Sequence, residues 1–139
     1  MRNIEEFRCP RYYFGAGRVR ALQLHIFVDS SQSAFAAAAY WRVTYESRDV
    51  QAHFVCSKTK CAPMRTMSIP RLKLQAAVLG TRLMGTFKQE HGVAISGCVL
   101  MTDSKTVLHC ISSTHRRYKQ FVGNRVAEIL ESTEMSQWR

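Results

Sequence analysis

The segment AISGCVLMTD, Ala94 to Asp103, is a nearly continuous apolar run that closes on a carboxylate. A run without polar alternation fits a strand buried on both faces, the pattern of a central or parallel strand. Directly before it stands SIPRLKLQAAVLGTRL, Ser68 to Leu83, the start of a helix predicted from about Ile69 to Gln89. Ser68 suits an N-cap and Pro70 a first helical turn. Ile69, Leu72, Ala76, Leu79, Leu83 and Phe87 make its apolar stripe. A long helix feeding a buried strand carries the chain back across a sheet, so this strand can lie parallel to an earlier one. One residue breaks the pattern. Lys73 sits beside the stripe in the first turn, where the helix dipole favours an acid.

Three strands precede that unit. LQLHIFVD, Leu22 to Asp29, alternates Leu22, Leu24, Ile26 and Val28 with polar neighbours. AFAAAAYWRVTY, Ala34 to Tyr45, has alanines that favour helix, but its second half is rich in strand formers, so it reads as a strand paired to the first. VQAHFVCS, Val50 to Ser57, alternates again and gives a third strand. A basic loop, KTKCAPMRTM, then leads to the helix. After the apolar run come a short helix, with Ser104 as its cap, and a second one in YKQFVGNRVAEILEST. Phe121, Val122, Val126, Ile129 and Leu130 share a face of the latter. The order is β-β-β-α-β-α-α, an α/β chain with an antiparallel meander and a parallel strand. Residues 1–20 lack periodicity and read as a linker or tail, leaving 21–139 as one domain.

The chain of 139 residues is 46% hydrophobic and 22% charged, enough for one ordered core. Its first residues lack the apolar stretch of a signal peptide, and no run reaches the length of a membrane helix. An intracellular protein of the cytoplasm or nucleus is expected. Twenty Lys and Arg against ten Asp and Glu give a formal charge of +10. That excess favours polyanions, chiefly nucleic acid; a basic but inert surface is the alternative. Clusters fall at Arg18/Arg20, Lys58/Lys60/Arg65, Arg71/Lys73 and His115–Arg116–Arg117. The five cysteines, Cys9, Cys56, Cys61, Cys98 and Cys110, read as reduced thiols. Cys56 and Cys61, with His53 and His109, have poor spacing for zinc. Cys110 beside His109 shows no pairing, because adjacent helical residues point apart.

Asp29 ends the first strand and Asp103 the fourth. If those strands are parallel neighbours, the carboxylates lie about 5 Å apart at one sheet edge. Such carboxylates repel unless a cation lies between them or one takes a proton. Oxygen ligands suit Mg²⁺ or Mn²⁺. Each Asp also precedes a Ser, as a capping residue would, and spacing leaves both readings open.

The segments LQLHIFVDSSQSAFAAAAYWRV, VCSKTKCAPMRTMSIPRLKLQAAVLGTRL, MTDSKTVLHCI and YKQFVGNRVAEIL occur in the order found in one family. Over Leu22 to Leu130 the chain resembles the ribonuclease H-like domain of BEL/Pao-type retrotransposon polyproteins. The resemblance implies a five-stranded mixed sheet flanked by helices, with two divalent metals, Mg²⁺ or Mn²⁺, on clustered acids. It implies hydrolysis of the RNA strand of RNA–DNA hybrids. By the motif match Asp29 is the first acid and Asp103 the third. The second, a Glu in the family pattern, falls at Lys73. The fourth lies in a segment past a Trp, and the chain stops at Trp138–Arg139. The fifth strand and C-terminal part are therefore expected to be truncated.

Two unit charges about 4 Å apart interact by roughly 4 kcal/mol at an effective dielectric of about 20. A cation in place of an anion should therefore weaken metal binding greatly, and Lys73 could pair with either Asp instead. The expectation is a catalytically dead ribonuclease H-like domain. Alternatives are a non-catalytic module that binds nucleic acid or packs on reverse transcriptase, and a decayed transposon fragment. Expected partners are an RNA–DNA hybrid and the reverse transcriptase and integrase regions of the same polyprotein, with no membrane. Arg71, Lys58 and Lys60 are candidate phosphate contacts. BEL/Pao sequences of this region are sometimes described as a Pao peptidase family, but an aspartic peptidase needs Gly after its Asp-Ser/Thr, and neither Asp29 nor Asp103 has one. Trp41 and Tyr40 read as sheet packing. Asn124 and Arg125 match the family without an assignable chemistry.

Overall fold

The computed structural model describes residues 19–65, 67–90, 95–113 and 119–139. Four strands form one sheet: β1 (Val19–Ser30), β2 (Ala34–Tyr45), β3 (Val50–Cys61) and β4 (Gly97–Thr102), in the order β3-β2-β1-β4. β1 and β3 run antiparallel to β2, and β4 runs parallel to β1. Helix α1 (Ile69–Glu90) makes the crossover. Helices α2 (Lys105–Ser112) and α3 (Gln120–Ser132) follow β4.

Alternation decides which way the sheet faces. Leu22, Leu24, Ile26 and Val28 of β1 are buried, as are Phe35, Ala37, Ala39, Trp41, Val43 and Tyr45 of β2. Ala37 and Ala39 are small, which lets α1 lie close over them. Along α1, Leu72, Ala76, Leu79, Leu83 and Phe87 are buried. The Phe87 ring meets Trp41 edge-on, with centroids 5.7 Å apart. Burying each of these leucines and the phenylalanine contributes about 1.5–3 kcal/mol. Ile69, expected in this stripe, is 38% exposed because it precedes the first full contact with the sheet. Leu130, expected on the packed face of α3, is also largely outside; Val126 and Ile129 carry that contact.

Three boundaries depart from expectation. β1 begins at Val19, so Val19 and Arg20 belong to the sheet and not to a leading tail. The rest of that tail, with Arg18 and Cys9, lies outside the described residues, as does the His115–Arg116–Arg117 cluster. β3 continues to Cys61, so Lys58 and Lys60 lie in an edge strand and not in a loop. Backbone pairing to β2 overrides the weak strand propensity of lysine there, and edge lysines are a common guard against stray pairing. Finally, Trp138 bridges Leu100 in parallel fashion, with Arg139 N donating to Leu100 O at 2.9 Å and Thr102 N to Arg139 O at 3.0 Å. The chain thus enters a fifth-strand position beside β4. Trp138 is anchored by its Nε1, which donates to Thr133 Oγ1 at 3.0 Å.

The opposite sheet face carries Phe27, Tyr40 and Phe54, whose rings stand edge to face at 5.5 and 5.4 Å. Tyr40 therefore lies on this outer face, and Trp41 alone packs into the core. Among the described residues, no helix is long and apolar enough to cross a membrane.

Candidate functional site

The parallel register of β1 and β4 pairs Val28 with Thr102. The next residue in each case is an aspartate, Asp29 within β1 and Asp103 just past β4, so the two emerge side by side at the carboxyl end of the sheet. This is where open α/β sheets build their sites. α1 brings Lys73 over the same point. Its Nζ lies 3.0 Å from Asp29 Oδ1 and 2.7 Å from Asp103 Oδ1. One ammonium thus joins two carboxylates from two strands and fills the position between them.

Local structure explains the placement. Gly80, two turns along α1 from Lys73, rests on β1: a methyl group there would collide with the Val28 side chain and come within 3.4 Å of Ile26. Glycine therefore sets how near the helix lies to β1, and with it the reach of Lys73 to Asp29. The capping alternative fails for Asp103, since the cap of α2 is Ser104, whose Oγ accepts from Val107 N at 3.2 Å. Asp29 Oδ1 also accepts from its neighbour's amide, Ser30 N, at 2.7 Å.

Hydrogen bonds from Lys73, and then from the Ser30 amide, hold the Asp29 carboxyl below its ordinary value of 3.8. Bonds to Asp103 and then Asp29 raise the Lys73 ammonium above its ordinary 10.5. The Asp29 contribution to stability is present above pH 3.8 and lost as pH falls through the lower folded value. The Lys73 contribution is full below pH 10.5 and lost as pH rises through the higher folded value. Both aspartates are well exposed, at 70% and 62% of the side chain, so solvent limits the cluster to about 1 kcal/mol. Lys73→Met should therefore cost about 1 kcal/mol from pH 5 to 10, with the difference shrinking below and above that range. Denaturant melts of both proteins across pH check this.

The other candidate contacts lie apart from the cluster. Arg71 is engaged locally, with its guanidinium 5.1 Å from the centre of the Phe121 ring. Lys58 pairs across from Ala37 and Lys60 from Phe35 on β2, so both are on the helix-bearing side of the sheet. Sequence reasoning missed two contacts of α3. Arg125 lies over the Phe121 ring at 4.0 Å, and Arg82 of α1 grips Glu128 at 2.7 and 3.1 Å. Nothing in the helical spacing marked residues 46 apart as partners. Among the described residues no group of three or more His, Cys, Asp or Glu side chains converges.

Residues 1–104 match the family described as Pao retrotransposon-like RNaseH-like domain. No curated protein matches the chain in sequence. Among solved structures, the chain is similar to RNase H1 from the halophilic archaeon Halobacterium salinarum NRC-1. The TM-score is 0.52 at 13% identity, over 84% of this chain and 81% of that one. It is also similar to the N-terminal ribonuclease H domain of a Mycobacterium tuberculosis protein, with TM-score 0.50 and 12% identity over 86% and 78%. LC11-RNase H1, solved in complex with an RNA/DNA hybrid, gives TM-score 0.50 and 7% identity over 84% and 80%. At these identities the likeness is one of fold: a mixed sheet of three antiparallel strands and one parallel, flanked by helices.

Proposed function

We propose that this chain, which belongs to the Pao retrotransposon-like RNaseH-like domain family, is a nuclease-fold module that binds nucleic acid without cutting it. The observation that carries the reading is the Lys73 ammonium between Asp29 and Asp103. Two-metal hydrolysis needs divalent ions held by several carboxylates, one ion generating hydroxide and the other steadying the leaving oxygen. Among the described residues two carboxylates meet here, and each gives one oxygen to an ammonium. That donor set does not fit a pair of Mg²⁺ or Mn²⁺ ions, and a cation already neutralises both acids.

What supports retained binding is charge. The +10 excess persists in a chain whose proposed chemistry is lost, and an RNA–DNA hybrid is the polyanion that the fold's relative LC11-RNase H1 is seen with. Binding of this kind should weaken steeply with salt as counterions are released. The exposed rings of Phe27 and Phe54 favour a second reading, in which the outer sheet face packs on another region of an intracellular polyprotein, such as its reverse transcriptase or integrase.

A labelled RNA–DNA hybrid incubated with the protein and Mg²⁺ or Mn²⁺ should be retained in a salt-sensitive complex and remain intact. Cleavage that disappears on Asp29→Asn would refute the proposed inactivity.

A further inference from the structure

α1 and α3 enclose a polar hollow of about 370 Å³ with the start of β2 and the end of β3. Its chemistry comes from Lys60, Gln75, Arg82, Asn124, Arg125 and Glu128. Three of these are cations and one is an anion. Glu128 is already matched by Arg82 through a two-pronged contact, so its charge is locally cancelled. Lys60 and Arg125 supply the remaining positive charge, and the two amides supply neutral donors. Arg125 is held by the Phe121 ring under its guanidinium, which limits the entropy lost when it grips a ligand.

We infer that this hollow seats a backbone phosphate of the bound nucleic acid, and the inference rests on the binding function proposed above. A guanidinium fork and an ammonium beside amide donors match the oxygens of a phosphodiester. Location favours nucleic acid over other phosphate carriers. Phe35 borders both this hollow and the one that holds Asp29. Ser30 pairs with Phe35, and Phe35 with Lys60, so one row of paired residues leads from the aspartates to the hollow. α1, about 10 Å across, separates Lys73 from it. Each strand of a duplex presents a phosphate about every 3.4 Å of axis, so a duplex over Asp29 reaches the hollow within a few nucleotides. This gives Asn124 and Arg125 a role.

The test is a titration of a fluorescent RNA–DNA hybrid with the full chain at several salt concentrations, alongside Lys60→Ala and Arg125→Ala. Each variant should bind about three- to tenfold more weakly, and the slope of log affinity against log salt should fall by about 1 for each. Lys60 is an exposed edge-strand residue, so its variant stays folded even if Arg125→Ala loosens α3. Lys88→Ala, at the far end of α1, should change affinity less than twofold. Glu128→Gln, which releases Arg82, should tighten binding. If the unmodified chain binds the hybrid and neither variant weakens it, the seat is wrong and the binding function survives. If the unmodified chain binds no hybrid, both fall. Tighter binding of a phosphoserine peptide than of the hybrid would overturn the assignment to nucleic acid. So would inorganic phosphate shifting the Asn124 and Arg125 amide resonances when the hybrid does not.

Discussion

Lys73→Glu should destabilise the metal-free protein by about 2 kcal/mol and make its melting temperature respond to Mn²⁺. The substitution removes the only cation between Asp29 and Asp103 among the described residues and puts a third carboxylate in its place. Two attractions are lost and two repulsions gained. Each is moderated by water at the exposed aspartates, so the sum is far smaller than its low-dielectric value. For a domain of this size the loss lowers Tm by about 6 °C. Three carboxylates on one point then suit an oxygen-liganded divalent ion. Mn²⁺ at about ten times its Kd would restore about 1.4 kcal/mol. The unmodified protein, whose ammonium excludes the ion, should melt at the same temperature with and without Mn²⁺. Thermal melts of both proteins across a Mn²⁺ series check the pair of expectations. An unmodified protein stabilised as strongly as the variant would contradict them.

The second large effect lies one layer below the site. Gly80→Val should cost about 3 kcal/mol, because its branched side chain has nowhere to go between α1 and the side chains of Val28 and Ile26. The gain in helix propensity from replacing glycine, under about 1 kcal/mol, cannot offset that. Relief requires α1 to lift from β1, which carries Lys73 away from Asp29. Denaturant unfolding reports the stability. The backbone shift of Ser30, whose amide donates to Asp29, reports the lifted helix. A stability within 0.5 kcal/mol of the parent, roughly the range of neutral surface changes, would show that the close approach does not hold the helix in place.

The contrast between these sites shows what could be read in the residues alone. Period-two alternation in β1 marked its core face, and the apolar run marked β4 as a strand beside it; β4 itself buries only Cys98 and Leu100, so the expectation of burial on both faces fails. That was enough to bring Asp29 and Asp103 to one edge. The position of Lys73 followed from its turn of the helix. What escaped lacks any local signal. Lys58 and Lys60 have weak strand propensity, and only pairing with β2 keeps them extended. The Trp138–Arg139 segment joins the sheet through two backbone bonds of Arg139 and the Trp138 indole N–H held by Thr133, none of which has a periodicity to detect. The Arg82–Glu128 contact depends on how α3 lies across α1, a tertiary choice. The close approach at Gly80 is likewise invisible, since a glycine within a helix can equally mark a kink or nothing at all.

Everything turns on whether an ammonium has taken the place that divalent ions need. The most direct measurement is paramagnetic broadening by Mn²⁺ of the backbone amide signals of Asp29, Ser30 and Asp103 at neutral pH. No selective broadening is expected in the unmodified chain, and broadening at those residues is expected in Lys73→Glu. Selective broadening at submillimolar Mn²⁺ in the unmodified chain, abolished by Asp29→Asn, would contradict that expectation.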